Sequence, residues 1–191
     1  MKKLIILFSI LMVLASVSLV RAGSLDGWDF YFFGINARDF EDREVLPVVV
    51  GAVASLATHE VLGHMLTGEL MGMDTSFSWS DRVVYADGWD EASSDQRAMF
   101  AASGFISQLV VGTTLTLIPK TRHSDFTLGF NSFTMATGFA YGITGGLGDD
   151  DVSDVENLNT NGYSGRMVAF ITGGYAGVLS YINLNKYKED E

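Results

Sequence analysis

Cysteine is absent from this 191-residue chain. Disulfides are therefore excluded, and any metal site has to be built from histidine and carboxylate. Positive charge is scarce, with twelve Lys and Arg against twenty-three Asp and Glu and a formal charge of −11. That balance excludes nucleic acid as a partner, because binding it needs concentrated positive charge. Proline occurs twice. Pro47 and Pro119 both fall at the ends of uncharged stretches, where the missing N–H is least disruptive. No internal repeat interrupts the chain, and its length suits one domain.

What is present begins with Lys2 and Lys3, followed by an uncharged run from Leu4 to Val20 and then Val20-Arg21-Ala22. This reads as a secretory signal over residues 1–22, cut after Ala22. The alternative is an uncleaved anchor, for which the run is barely long enough. Cleavage removes three positive charges and no acid, leaving −14. The rest divides into an aromatic and acidic segment (23–45), a hydrophobic domain (46–185) and a charged tail (186–191). Aromatic side chains between Trp28 and Phe40, with Trp79 and Trp89, suit a membrane interface.

Four apolar stretches organise the domain: Leu46 to Met73, Ala98 to Pro119, Phe126 to Gly148 and Met167 to Asn185. Each is near the roughly 20 residues that a helix needs to cross hydrocarbon. Residues 74–97 and 149–166, rich in Asp, Ser, Asn and Gly, read as polar loops. In the third stretch, alternating Phe126, Leu128 and Phe130 resemble a barrel strand. However, Gly138, Gly142 and Gly146 recur every four residues, the spacing by which membrane helices approach closely. Gly104, Gln108 and Gly112, and then Gly173 and Gly177, repeat the device. The expected fold is all-α, a small membrane bundle of about four hydrophobic helices after a signal peptide. Positive charge does not orient it. Arg82, Arg97 and Arg166 would share one side against Arg38, Arg43, Lys120, Arg122, Lys186 and Lys188 on the other, so the bundle is legible but its direction in the membrane is not.

Within the first stretch lies THEVLGHMLTGE, residues 58–69. Ionisable groups at membrane depth are costly and are retained mostly where they bind, conduct or catalyse. In H-E-x-x-H, histidines four apart lie about 40° from each other around a helix, so both reach one metal while the glutamate faces its water. Here three residues separate Glu60 from His64, and a regular helix would turn His59 and His64 about 140° apart. A π-bulge, which absorbs one residue, restores the pair. A break at Gly63 is the second solution. A third uses Glu60 and His64 as ligands, with His59 behind them.

A hydrophobic helix carrying HE…GH, a second opening AASGFISQ, and an acidic Gly-Asp segment after a third together resemble the site-2 protease family of intramembrane zinc metallopeptidases. The resemblance covers most of the mature chain in order, on short motifs. It implies a zinc ion (Zn2+) held by His59, His64 and a third ligand from Asp149, Asp150 or Asp151, of which Asp150 is the middle choice. Glu60 would be the general base and Gln108 a substrate-binding amide. Two features depart from the family: the extra residue between Glu60 and His64, and Gly-Asp where the family has Asp-Gly. The HExxxH spacing itself is similar to that of the soluble gyrase-modulator metallopeptidases. The implied activity is hydrolysis of a peptide or membrane-protein substrate beside membrane lipid, in an exported protein of the inner membrane of a bacterial-type envelope.

Blander readings stand beside these. Gln108 also suits an interhelical hydrogen bond. Five carboxylates between Asp149 and Glu156 suit a solvated loop or calcium, although they do not match an EF-hand. Glu69 is a weaker candidate ligand, and His123 belongs to a turn outside the site. A metal transporter would use the same residues without hydrolysis, and a structural envelope protein would need none of them.

Overall fold

The structure, a computed structural model, describes residues 31–32, 35–36, 43–78, 83–145 and 153–185. The expected signal (1–22), Trp28, Trp79, Asp149 to Asp151 and the tail (186–191) lie outside the described residues. Within the aromatic segment, β1 (Tyr31–Phe32) and β2 (Ile35–Asn36) pair antiparallel.

Helices dominate the described residues. They are α1 (Val45–Leu70), α2 (Ser94–Leu117), the single turn α3 (Pro119–Arg122), α4 (Asp125–Thr144), the short α5 (Asp154–Thr160) and α6 (Gly165–Leu184). Three of their starts are encoded locally. Ser93 and Gln96 form a reciprocal capping box at α2, while Ser124 and Ser153 cap α4 and α5 by accepting from Thr127 N and Glu156 N. Each cap satisfies a donor that a helix leaves unpaired.

The four long helices run alternately up and down. Three of them, α1, α2 and α6, are long and apolar enough to cross a membrane. Their outward faces carry large hydrophobic side chains at helical spacing: Leu46, Val50 and Val53 on α1, Ile106 and Val110 on α2, Ile171 and Val178 on α6. Rows of this kind suit a lipid surface. Helix α4 differs, since Ile143 is its one exposed large hydrophobic residue and twelve of its twenty residues are buried. It contacts α1, α2 and α6, so its outer surface is protein and it tolerates Asn131, Ser132 and Thr134 where a lipid-facing helix would not.

Glycine permits the close packing. A Cβ at Gly51 or Gly129 would collide with the backbone of the facing helix, across the α1–α4 contact, and one at Gly138 would lie 2.6 Å from Gly173 N across the α4–α6 contact. The spacing of Gly138 with Gly142 therefore has the expected helical meaning. Gly146 lies outside the described residues.

Residues 74–97, read from sequence as a polar loop, instead contain a hairpin of β3 (Asp74–Ser78) and β4 (Val83–Asp87), in register from Asp74↔Asp87 to Ser78↔Val83. The reason is one apolar side: Val84 is buried with Met73, Ala92 and Phe100, and Phe77 and Ala86 pack on that cluster. Helix α5 is anchored in the same way, by Val155 and Leu158 against Ala98, Ala101, Phe105 and Ala169. Hairpin and α5 cover the same end of the bundle, above the first half of α2.

Candidate metal centre

The extra residue between Glu60 and His64 is absorbed as the sequence permits. Thr58–Met65 forms a π-helical segment inside α1, whose i to i+5 bonding brings residues five apart onto one side. Neighbouring hydroxyls satisfy carbonyls along it. Ser107 Oγ donates to the Thr58 carbonyl at 3.1 Å, and Thr75 Oγ1 donates to that of Met65 at 3.4 Å. The helix does not break at Gly63. Instead Gly63 lets α2 approach, because a Cβ there would lie 2.8 Å from Gly104 N.

The histidine rings consequently meet, with centroids 4.9 Å apart. Both are buried, and each is held from behind at Nδ1. His59 Nδ1–H donates to Gln108 Oε1 at 3.2 Å, and His64 Nδ1–H donates to the Phe100 carbonyl at 2.9 Å. The Gln108 amide is oriented by its other end, which donates to Ser55 O at 3.3 Å and Ser55 Oγ at 2.9 Å. Ser55 in turn bonds Thr134 on α4 at 2.8 Å. A methyl at Gly104 would strike the His59 ring, so this glycine leaves the space that the imidazole fills.

With the protons on Nδ1, each Nε2 presents a lone pair, and both face Asp154. The separations are 2.8 Å from His59 Nε2 to Oδ2 and 3.3 Å from His64 Nε2 to Oδ1. Two lone pairs facing a carboxylate require a cation between them, a proton on each ring or one shared metal ion. Burial alone would raise the Asp154 carboxyl. When protons fill that role, the charge of His64 and the hydrogen bonds from both rings outweigh burial and hold it below the usual carboxylate range.

The donor set fits a transition metal. One ligand atom from each of His59, His64 and Asp154 lies within 4.8 Å of the others. Tetrahedral zinc, with bonds of about 2.0–2.1 Å, spaces its ligand atoms about 3.3 Å apart. His64 and Asp154 match this at 3.3 Å, whereas His59 and Asp154, at 2.8 Å, stand at hydrogen-bond distance and would open slightly around an ion. Hydrogen-bond acceptors behind both Nδ1 atoms are the usual companions of metal-binding imidazoles. His64 and His59 lie six and eleven residues from the end of α1, about 9 and 16 Å along its axis. Asp154 reaches them because α5 tucks inward on Val155 and Leu158.

The expected site residues are distributed as follows. His59 and His64 come together. Glu60, half-buried, lies near enough for its charge to act on His64 and on Tyr141 of α4. Gln108 serves His59, with its amide engaged at both ends. Asp150 lies outside the described residues; Asp154 is the carboxylate that meets the histidines. Glu69 points elsewhere, accepting from Thr75 N at 3.1 Å and Thr75 Oγ1 at 2.9 Å. His123 is likewise structural, its Nδ1 bonding the Asn183 carbonyl at 3.1 Å. Tyr141, beside Phe105, was not anticipated. No protein-family model, curated protein or solved structure matches the chain.

Proposed function

We propose that the chain is a zinc-dependent peptidase embedded in a membrane, with His59, His64 and Asp154 as metal ligands and Glu60 as general base. The observation that carries this reading is the convergence of both Nε2 atoms on one carboxylate while both Nδ1 atoms are held from behind. Bound there, zinc supplies Lewis acidity, which polarises a peptide carbonyl and acidifies a water. Glu60 accepts a proton from the attacking water and returns it to the leaving amine. Gln108 and the Phe100 carbonyl hold the imidazoles in the tautomer that binds metal. The substrate is a peptide or membrane protein, and residues 1–22 direct the chain to a bacterial-type envelope, in its inner membrane.

The deciding variant is Glu60→Gln in the detergent-purified protein. Zinc content should remain that of the wild type, while cleavage of a peptide library falls by about 100- to 10,000-fold, the range for loss of a general base. Undiminished cleavage would remove Glu60 from the mechanism. A folded wild-type protein that takes up no zinc would remove the reading altogether.

A second reading draws on the enclosure of the ligands, whose side chains are 10%, 6% and 13% exposed for His59, His64 and Asp154. Such a site could hold or pass an ion without admitting a substrate. It expects zinc binding, no cleavage by the wild type, and a change in metal affinity or transfer in Glu60→Gln.

A further inference from the structure

A pocket of about 260 Å³ lies between the first turns of α2 and helix α5, lined by Trp89, Arg97, Asn157, Thr160 and Asn161. It is separate from the histidines, although Phe100 lies between them, touching Trp89 on one side and His64 on the other. Arg97 is the unusual member. Its Nε is buried without a hydrogen-bond partner, and the ion pairs among the described residues are those of Arg43, His59 and His64. Arg97 as a whole is half-buried, and a buried Nε–H without an acceptor is unfavourable unless an anion reaches it.

The other lining groups narrow the choice. Asn161 is engaged with Ser94 Oγ and the Asn157 carbonyl, and Thr160 Oγ1 with the Glu156 carbonyl. Nearby Asp95 accepts from Tyr163. Arg97, the half-buried side-chain amide of Asn157 and the Trp89 indole N–H remain as donors, a set that fits the oxygens of one oxyanion.

Depth selects its source. Arg97 is the fourth residue of the 24-residue α2. That helix is about 36 Å long and overhangs a hydrocarbon core of about 30 Å by about 3 Å at each end. Arg97, about 5 Å from its start, therefore sits at the boundary where headgroup phosphates begin, beside a tryptophan, the side chain enriched at that level. The acidic loops around it, with Asp90, Glu91 and Glu156, disfavour a free phosphate dianion. A phosphodiester carries one charge, and its acyl chains remain in the bilayer.

We propose that this pocket binds the phosphate of a membrane phospholipid through Arg97 and Asn157, independently of the metal centre. The test uses the full chain in an uncharged detergent, titrated separately with dihexanoyl phosphatidylglycerol, dihexanoylglycerol and inorganic phosphate, and read by calorimetry. The phospholipid should bind saturably and the phosphate-free lipid should not. Arg97→Gln should weaken binding by about tenfold or more, the value of a charge-assisted hydrogen bond, and Asn157→Ala by about threefold to tenfold. Unchanged affinity in a folded Arg97→Gln protein, or equal binding of the phosphate-free lipid, would overturn the proposal. Inorganic phosphate binding as tightly as the phospholipid would overturn its lipid half. Should Arg97→Gln fail to fold, Asn157→Ala decides, and unchanged affinity there counts against the site.

Discussion

Two buried polar clusters sit at opposite ends of the same helices, built from similar materials toward different ends. At the far end, Asn131 donates to Thr116 Oγ1 and Asn183 Oδ1 at 3.1 and 2.8 Å, and Asn183 donates to the Arg122 carbonyl at 2.6 Å. His123 and Arg122 close the group onto backbone carbonyls, and Arg43 pairs with Asp125 at 3.2 Å. Donors there meet acceptors, and nothing external is required. At the near end, His59 and His64 are equally well bonded at Nδ1, yet their Nε2 atoms converge on Asp154, where the contact closes only with a proton on each ring or with one shared metal ion. A buried network complete in itself ties helices together. One that closes only through a cation at a single shared point is a group that could hold a metal. The difference lies in where the lone pairs converge, not in how polar or how buried the groups are.

Removing a ligand should separate the two ends most sharply. Asp154→Ala should lower zinc affinity by more than about 100-fold, beyond the range for outer-shell partners, while the metal-free protein unfolds in detergent within a few degrees of the wild type. Competition with a chromogenic chelator measures the first and thermal unfolding the second. A metal-free protein that collapses would place Asp154 among the structural groups, with Asn183. Next in size comes Gln108→Leu, which takes the acceptor from His59 Nδ1. Zinc should bind about 10- to 100-fold more weakly, and unaltered affinity would mean that the His59 ring is held by Gly104 and Phe105 alone.

The sequence made much of this near end legible, and the limits of that reading have physical causes. One residue too many in HExxxH demanded a π segment or a break, and the π segment is there. The four apolar stretches became the four long helices, although α4 turned out to be sheathed by protein, which its Asn, Ser and Thr content could have suggested. The resemblance points to Asp149, Asp150 or Asp151 as third ligand, and those residues lie outside the described ones; Asp154, which meets the histidines, reads from the sequence only as part of a solvated acidic loop. What positions Asp154 is the start of α5: Ser153 with Glu156 three residues on, and Val155 and Leu158 on one face. That is a helix-start signature. The far cluster was invisible because Thr116, Asn131 and Asn183 are far apart in the chain and meet only through packing.

Asn183→Ala probes that far cluster directly. It should destabilise the protein by about 1–3 kcal/mol, the cost of stranding buried partners, read by thermal unfolding, with zinc affinity unchanged. Parallel loss of zinc would show that the two ends are coupled along α4 and α6 and would break the comparison.

The smallest effect should come from Ser107→Ala, and it addresses how the π segment is kept. A π turn is rare and short, so its persistence implies support from outside the helix. Ser107 supplies some, but its hydroxyl also bonds the Gly104 carbonyl of its own helix at 2.9 Å, so only part of its capacity is spent on Thr58. Losing it should cost about 1 kcal/mol of stability and less than tenfold in zinc affinity, because His59 stays in place through Gln108 and His64 through Phe100. A zinc loss larger than that of Gln108→Leu would mean that the backbone of the π segment, more than the bonds behind the rings, sets the histidine geometry. No change in either quantity would instead assign its support to the close approach of Gly63 to Gly104, where a Gly63→Ala variant would then carry the larger effect.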